Sequence, residues 1–193
     1  MAEFAYEVKI PKDRIAVLIG RKGEVKKQIE DQTSTIICID SKEGDVSVKG
    51  EDALSLYCTR DIIRAIGRGF NPDIALLLLK QDYCFEMVAL QEYVKPNHLQ
   101  RIKGRIIGSD GKSRSLIEKL SETYISVYGK TVCIIGRVED VAIAKRAVGS
   151  LIGGSPHANV YRWLEKMRKE MKKREFEERD PSMFKTDEEK ASL

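Results

Sequence analysis

A pattern in this chain recurs at a fixed offset of 88 residues, the distance from Gly23 to Gly111. At that offset Gly20 falls on Gly108, Ile29 on Ile117 and Glu30 on Glu118. Further on, Glu51-Asp52-Ala53 falls on Glu139-Asp140-Val141. Such register is hard to obtain by chance, and 193 residues leave room for two small domains. The chain is therefore read as two copies of one folding unit.

Hydrophobic periodicity fills in that unit. Phe4, Tyr6, Val8 and Ile10 alternate with polar residues as a half-buried strand does. Pro11 closes it, and short helices are expected over 13–19 and 24–31. Residues 35–39 read as a β-branched, buried strand, and Val46 and Val48 begin another. A longer helix over 51–67 puts Leu54, Tyr57, Cys58, Ile62, Ile63 and Ile66 on one broad face. After a short connecting helix over 73–80 the order repeats. A strand covers 83–93, helices 96–107 and 112–120, strands 124–128 and 131–135 around Gly129-Lys130, and a helix 139–152. The fold class is α+β, with two β-α-α-β-β-α units that each place helices on one face of a three-stranded antiparallel sheet. The domains run 1–72 and 83–153, joined by 73–82. Val160, Trp163, Leu164, Met167 and Met171 mark a C-terminal helix over 154–179 that docks by one face, and 180–193 is a polar, frayed tail.

The matched glycines are the candidate site. Gly20-Arg21-Lys22-Gly23 and Gly108-Ser109-Asp110-Gly111 each join two helical patterns. Without Cβ atoms, a Gly-x-x-Gly lets backbone approach a phosphate, and the next helix opens there with unpaired N–H groups. The first loop carries Arg21 and Lys22 inside it and Lys26 and Lys27 behind, although residues 1–96 are net acidic (−2). The second contains an acidic residue, Asp110, expected to cap the following helix with its side chain turned away from phosphate. Around it stand Arg101, Lys103, Gly104, Arg105, Ile106, Ile107, Lys112 and Arg114, and residues 97–179 carry a net +8. The positive field thus favours the second copy as the principal nucleic-acid site, with the first as a secondary one.

Other chemistries fit poorly. The four cysteines (Cys38, Cys58, Cys84, Cys133) lie apart in apolar segments and read as small core residues, and neither His98 nor His157 stands at zinc-ligand spacing from them. His98 reads as a surface or capping residue and His157 as a packing residue. Gly111-Lys112-Ser113 resembles the end of a phosphate-binding P-loop, but the required first glycine falls on Ile106. No catalytic constellation, metal set or cofactor motif is expected. No apolar run approaches the ~20 residues of a membrane span, and the N-terminus lacks a signal-peptide layout, so a cytoplasmic monomer is expected.

A Gly-x-x-Gly between helices, twice, each time after Ile, resembles the type I KH domain over about 4–70 and 83–152. In KH proteins that loop clamps about four single-stranded nucleotides beside an apolar groove. The resemblance implies grooves using Ile15, Ile19, Val25 and Ile37 in the first copy, and Ile102, Ile106, Ile107, Leu116 and Ile125 in the second. Ordinary core packing is the competing reading for about half of these periodic positions. In detail, Ile66-Gly-Arg-Gly-Phe-Asn-Pro72, Arg101-Ile-Lys-Gly-Arg-Ile-Ile-Gly108 and Gly154-Ser-Pro-His-Ala-Asn-Val-Tyr161 resemble the archaeal branch of the Dim-two, or partner-of-Nob-one, family. Eukaryotic relatives lose the first glycine loop and carry an N-terminal extension; this chain keeps Gly20 and Gly23, and the archaeal form, without an extension, is the one expected. The resemblance implies a non-catalytic factor of small-subunit assembly that binds single-stranded RNA near the 3′ end of small-subunit ribosomal RNA. It also implies as partners the small-subunit precursor, the Nob-one endonuclease and the alpha subunit of translation initiation factor two. The alternatives are a KH subunit of an RNA-degradation complex and a KH protein-interaction module with little RNA binding.

Overall fold

The computed structural model describes residues 4–179. The expected tail at 180–193 lies outside them. The first unit runs β1 (Phe4–Lys9), α1 (Lys12–Ile19), α2 (Glu24–Thr33), β2 (Ile36–Asp40), β3 (Asp45–Gly50) and α3 (Ala53–Gly67). A short α4 (Pro72–Ala75) and a 3-10 turn at Leu76–Leu79 lead to β4 (Tyr83–Ala89). Then follow α5 (Leu99–Ile107), α6 (Lys112–Ser121), β5 (Tyr124–Tyr128), β6 (Thr131–Arg137), α7 (Val138–Ile152) and α8 (His157–Arg179). Each unit holds one antiparallel sheet, in the orders β1-β3-β2 and β4-β6-β5.

Local chemistry repeats along with the sequence. Both α2 and α6 end at a left-handed residue, Ser34 and Glu122, each at φ +53°. Just before, Glu30 accepts a bond from the Ile37 N–H and Glu118 from the Ile125 N–H, both at 2.7 Å. Thr33 and Ser121 hydroxyls donate to the carbonyls four residues back and bond Thr35 and Thr123. These contacts tie the second helix of each unit to its edge strand, satisfying polar groups that burial would otherwise strand. Asp52 caps α3 by accepting bonds from the Leu54 and Ser55 N–H groups.

The two sheets differ in what covers them. In the first, Val46 and Val48 on β3 face the helices with Val8, Ile37 and Ile39, and the other face is open. In the second, Val132 and Ile134 of β6 pack with α5, α6, α7 and α8, while Cys133 and Ile135 pack into the core of the first unit beside α3. Tyr83, Phe85 and Met87 of β4 join that first core. Hence α3 lies between two sheets and buries Leu56, Thr59, Asp61, Ile62, Ile63, Ala65 and Ile66 around most of its circumference. Sequence follows coverage: β3 alternates as Asp-Val-Ser-Val, whereas β6 is apolar without a break from Val132 to Ile135. Two bonds stitch the junction, Ser126 Oγ donating to the Arg68 carbonyl (2.7 Å) and Tyr128 to Asp13 (2.6 Å).

Several expectations need correction. Residues 35–39 do not form a fully buried strand: β2 is an edge strand, so Ile37 is buried but Ile36 and Cys38 face the open side. Leu54 and Tyr57 point to solvent, not to the core face of α3. Of the cysteines only Cys133 is buried, and burial pushes its thiol up to about 11. On α8, Val160 and Leu164 are buried, Met167 and Met171 are half-buried, and Trp163 lies under the Arg146 guanidinium at 4.9 Å. Among the described residues, no helix is long and apolar enough to cross a membrane.

Candidate nucleic-acid interface

Each glycine loop begins where a helix stops. Gly20 closes α1 and Gly108 closes α5, their N–H groups donating to the carbonyls of Ala16 (3.0 Å) and Gly104 (2.8 Å). Both sit at φ +74° with ψ near 180°, a combination only glycine readily adopts. Space also forbids a side chain. A Cβ on Gly108 would stand 2.6 Å from Ser113 Cβ, and one on Gly20 2.5 Å from Val25 Cγ2. The first glycine therefore lets the loop close against the following helix.

The second glycine has the opposite surroundings. Gly23 and Gly111 are left-handed N-caps of α2 and α6, and a Cβ on either would meet nothing within 4 Å. Among the described residues, no side chain caps either helix. Bare backbone and the positive end of a helix dipole thus face solvent together, a geometry suited to a phosphate. Between the glycines, Lys22 and Asp110 are both left-handed at φ +52°. This corrects the capping role expected of Asp110: its carboxylate caps nothing, and aspartate suits a backbone shape that few side chains tolerate.

The expected site residues divide by exposure. Arg101, Ser109, Asp110 and Lys112 are exposed around the second loop, as are Gly104 and, around the first loop, Arg21, Lys22 and Lys27. Lys103, Gly23 and Gly111 are half-buried. A Cβ on Gly104 would also meet nothing within 4 Å, so the surface of α5 beside the loop is open backbone. Lys26 lies 3.7 Å from Glu30, and Arg114 3.7 Å from Glu118. Burial pushes the Glu118 carboxyl up, against the pull of the Ile125 N–H and Arg114. Arg105 turns the other way. Its guanidinium donates to the carbonyls of Ser155 (2.7 Å) and Leu151 (3.4 Å), while its own carbonyl bonds His157 Nε2 at 2.8 Å. Arg105 joins the loop helix to the α7–α8 corner.

The apolar set splits as well. Ile15, Ile37, Ile102, Ile106 and Ile125 are core residues, so the side chain of Ile106 supports the loop from below. Ile19, Val25, Ile107 and Leu116 are half-buried and line the surface beside the loops. Sequence reasoning weighed Ser113 only as the end of a P-loop-like run and missed its packing role: its buried hydroxyl has no hydrogen-bond partner among the described residues, and its Cβ lies under Gly108. The repeat offset marks that position, because Ser113 falls on Val25, the residue under Gly20.

Residues 5–68 match the model of the KH domain, and residues 84–169 match that of the eukaryotic type KH-domain (KH-domain type I) found second in PNO1. The latter match runs past α7 into α8. A KH domain-containing protein of Methanocaldococcus jannaschii is 47% identical over 175 residues, covering 88% of this chain and 77% of that protein. The pre-rRNA-processing protein pno1 of Aspergillus fumigatus is 39% identical over 127 residues, which is 64% of this chain but only 50% of the fungal protein. Among solved structures, a chain in the crystal structure of an a/eIF2alpha–aDim2p–rRNA complex from Pyrococcus horikoshii superposes with a TM-score of 0.82 at 48% identity. The match covers 87% of this chain and 96% of that one.

Proposed function

This chain belongs to the Dim2/PNO1 family of tandem KH proteins, and from that membership we propose that it is a non-catalytic, cytoplasmic RNA-binding factor of small-subunit assembly. It holds single-stranded ribosomal RNA near the 3′ end of the small-subunit rRNA. The phosphates lie over Gly108-Ser109-Asp110-Gly111, with Arg101, Lys103, Lys112 and Arg114 supplying charge and the bare surface at Gly104 admitting the strand. Ile107 and Leu116 offer the apolar wall for bases. The loop Gly20–Gly23, with Arg21, Lys22, Lys26 and Lys27, is a second and weaker site. The observation that carries this reading is the open N-terminus of α6, where no side chain fills the space in front of Gly111. The similar Pyrococcus chain is part of a complex with a/eIF2alpha and rRNA, which supports RNA and the alpha subunit of initiation factor two as partners. The Nob-one endonuclease and the small-subunit precursor complete the proposed set.

Gly111→Asp tests the reading, because aspartate tolerates a left-handed backbone and nothing crowds the new Cβ. Thermal stability should stay close to wild type. Affinity for a short single-stranded oligomer of the rRNA 3′ end should fall on the order of tenfold or more, the new carboxylate facing phosphate. Unchanged affinity would remove RNA from the second loop and favour a protein-interaction role.

A further inference from the structure

Three arginines outside both glycine loops stand at four-residue spacing along one line: Arg60 and Arg64 on α3, and Arg68 just past its end. Helical rise sets successive ones about 6 Å apart. With Tyr6, Val8, Ile10 and Gly67 they line an open groove of about 410 Å³ between α3 and β1, an edge strand of its sheet. The Arg60 guanidinium lies 4.1 Å from the centroid of the Tyr57 ring and 5.6 Å from that of Tyr6. Both rings are exposed, at 51% and 40%. Arg64 stacks on Phe85 of the second unit at 5.8 Å.

An internal ion pair is the plainer explanation for these arginines, but it accounts for only part of the row. Buried Asp61 holds Arg60 at 3.1 Å and Arg64 at 3.6 Å, and Glu7 also lines the groove, so two carboxylates face three guanidinium groups and Lys9, which itself lies 3.3 Å from Asp45. Arg68 has no ion pair among the described residues; its carbonyl accepts the bond from Ser126 on β5. The row therefore keeps an excess of positive charge, pre-set in position by Asp61, beside two exposed aromatic rings. Cations at regular spacing with adjacent rings suit a single-stranded nucleic acid, whose phosphates need the charge and whose bases need a stacking surface. An acidic peptide would use the charge and leave the rings idle.

We infer that Arg60, Arg64 and Arg68, with Tyr6 and Tyr57, form a second single-stranded RNA track that continues the strand held by the glycine loop of the second unit. The inference rests on the RNA-binding reading above. The link between the two is β5, whose Ile125 N–H bonds Glu118 on α6, the helix that opens at the second loop, and which meets Arg68 and Asp13 through Ser126 and Tyr128. The track adds a row of three cations to those around the first glycine loop, in a half whose net charge is acidic.

The test compares oligoribonucleotides of about 5 and about 12 nucleotides on the full chain by fluorescence anisotropy. Wild type should bind the longer one on the order of tenfold more tightly. The double variant Arg60→Gln/Arg68→Gln should keep the affinity for the short oligomer and lose that gain. Its log affinity against log salt should become shallower by about 1.4, from two lost phosphate contacts. Independently of any variant, a 4-thiouridine-substituted long oligomer should crosslink to peptides containing Tyr6 or Tyr57. A length gain that survives the double substitution, or crosslinks that never reach those peptides, would overturn the track. So would a polyglutamate peptide that binds the wild-type groove and displaces the long oligomer from it. Short-oligomer binding insensitive to Gly111→Asp would sink the loop reading and the continuity of the strand with it, while loss of long-oligomer affinity in the arginine variant would still place RNA on the arginine row.

Discussion

The two glycines of one loop should respond unequally to the same substitution. Alanine at Gly111 keeps a left-handed backbone at φ +74° and ψ +9° and meets no neighbour within 4 Å, so the cost is about 1 kcal/mol of backbone strain. Alanine at Gly108 combines two penalties. Its φ of +74° with ψ of 177° is a glycine-only region, worth about 2 kcal/mol. Its Cβ would also lie 2.6 Å from Ser113 Cβ and 2.8 Å from the Ser113 backbone nitrogen, which no rotamer change relieves, adding about 2 kcal/mol of overpacking. The sum, about 4 kcal/mol, is a large share of a typical domain's stability. For a chain of this size thermal melting should drop roughly 10 °C for Gly108→Ala against roughly 3 °C for Gly111→Ala. The first copy supplies the replicate: Gly20→Ala should cost far more than Gly23→Ala, because Val25 Cγ2 stands 2.5 Å from the would-be Cβ. Differential scanning calorimetry reads all four. If Gly108→Ala and Gly111→Ala melted within about 1 °C of each other, the packing explanation of the first glycine would be wrong.

Arg105→Gln should act on stability before RNA, costing about 2 kcal/mol by stranding the Ser155 carbonyl, with the salt slope of RNA binding unchanged. Lys112→Gln in the same titration should reduce that slope by about 0.7, and equal slopes for the two variants would contradict the assignment. Asp140 sits near the contact of α7 with α8, where burial, with Glu122, Glu175 and Glu139 nearby, pushes its carboxyl up to about 6 despite Arg137. The native state then holds this proton more tightly than the unfolded chain, so the stabilisation is complete below about pH 4 and is lost as pH rises through 6. In this partly solvated place it amounts to about 1 kcal/mol, and Asp140→Asn should flatten the urea midpoint between pH 4.5 and 7.5 relative to wild type.

The repeat offset carries most of the fold, since one register predicts both glycine loops, the Glu30 and Glu118 bonds and the left-handed pair Ser34 and Glu122. What local pattern could not convey is coverage by distant residues. Thr35 to Ile39 looks buried by composition, yet it forms an edge strand with Ile36 and Cys38 on the open face. Arg105 looks like another loop cation, and only the fold brings the Ser155 carbonyl within its reach, fifty positions away. Asp110 looks misplaced beside phosphate until the backbone angle supplies its reason. The arginine row is written plainly at 60, 64 and 68, but its significance depends on Tyr6 arriving from the far end of the unit.

The position of α3 between two sheets also shapes how this chain is made. Synthesis completes the first unit while β4, β5 and β6 are still unmade, so one side of α3, with Phe70 and Leu78, waits uncovered. At ribosomal rates the roughly seventy residues needed to reach the end of β6 take on the order of several seconds. During that interval the nascent chain presents an apolar strip wide enough to stick to other chains. Cold, slow translation would lengthen the exposure, and a chaperone that shields apolar surface would have its natural point of action here, at the half-finished protein.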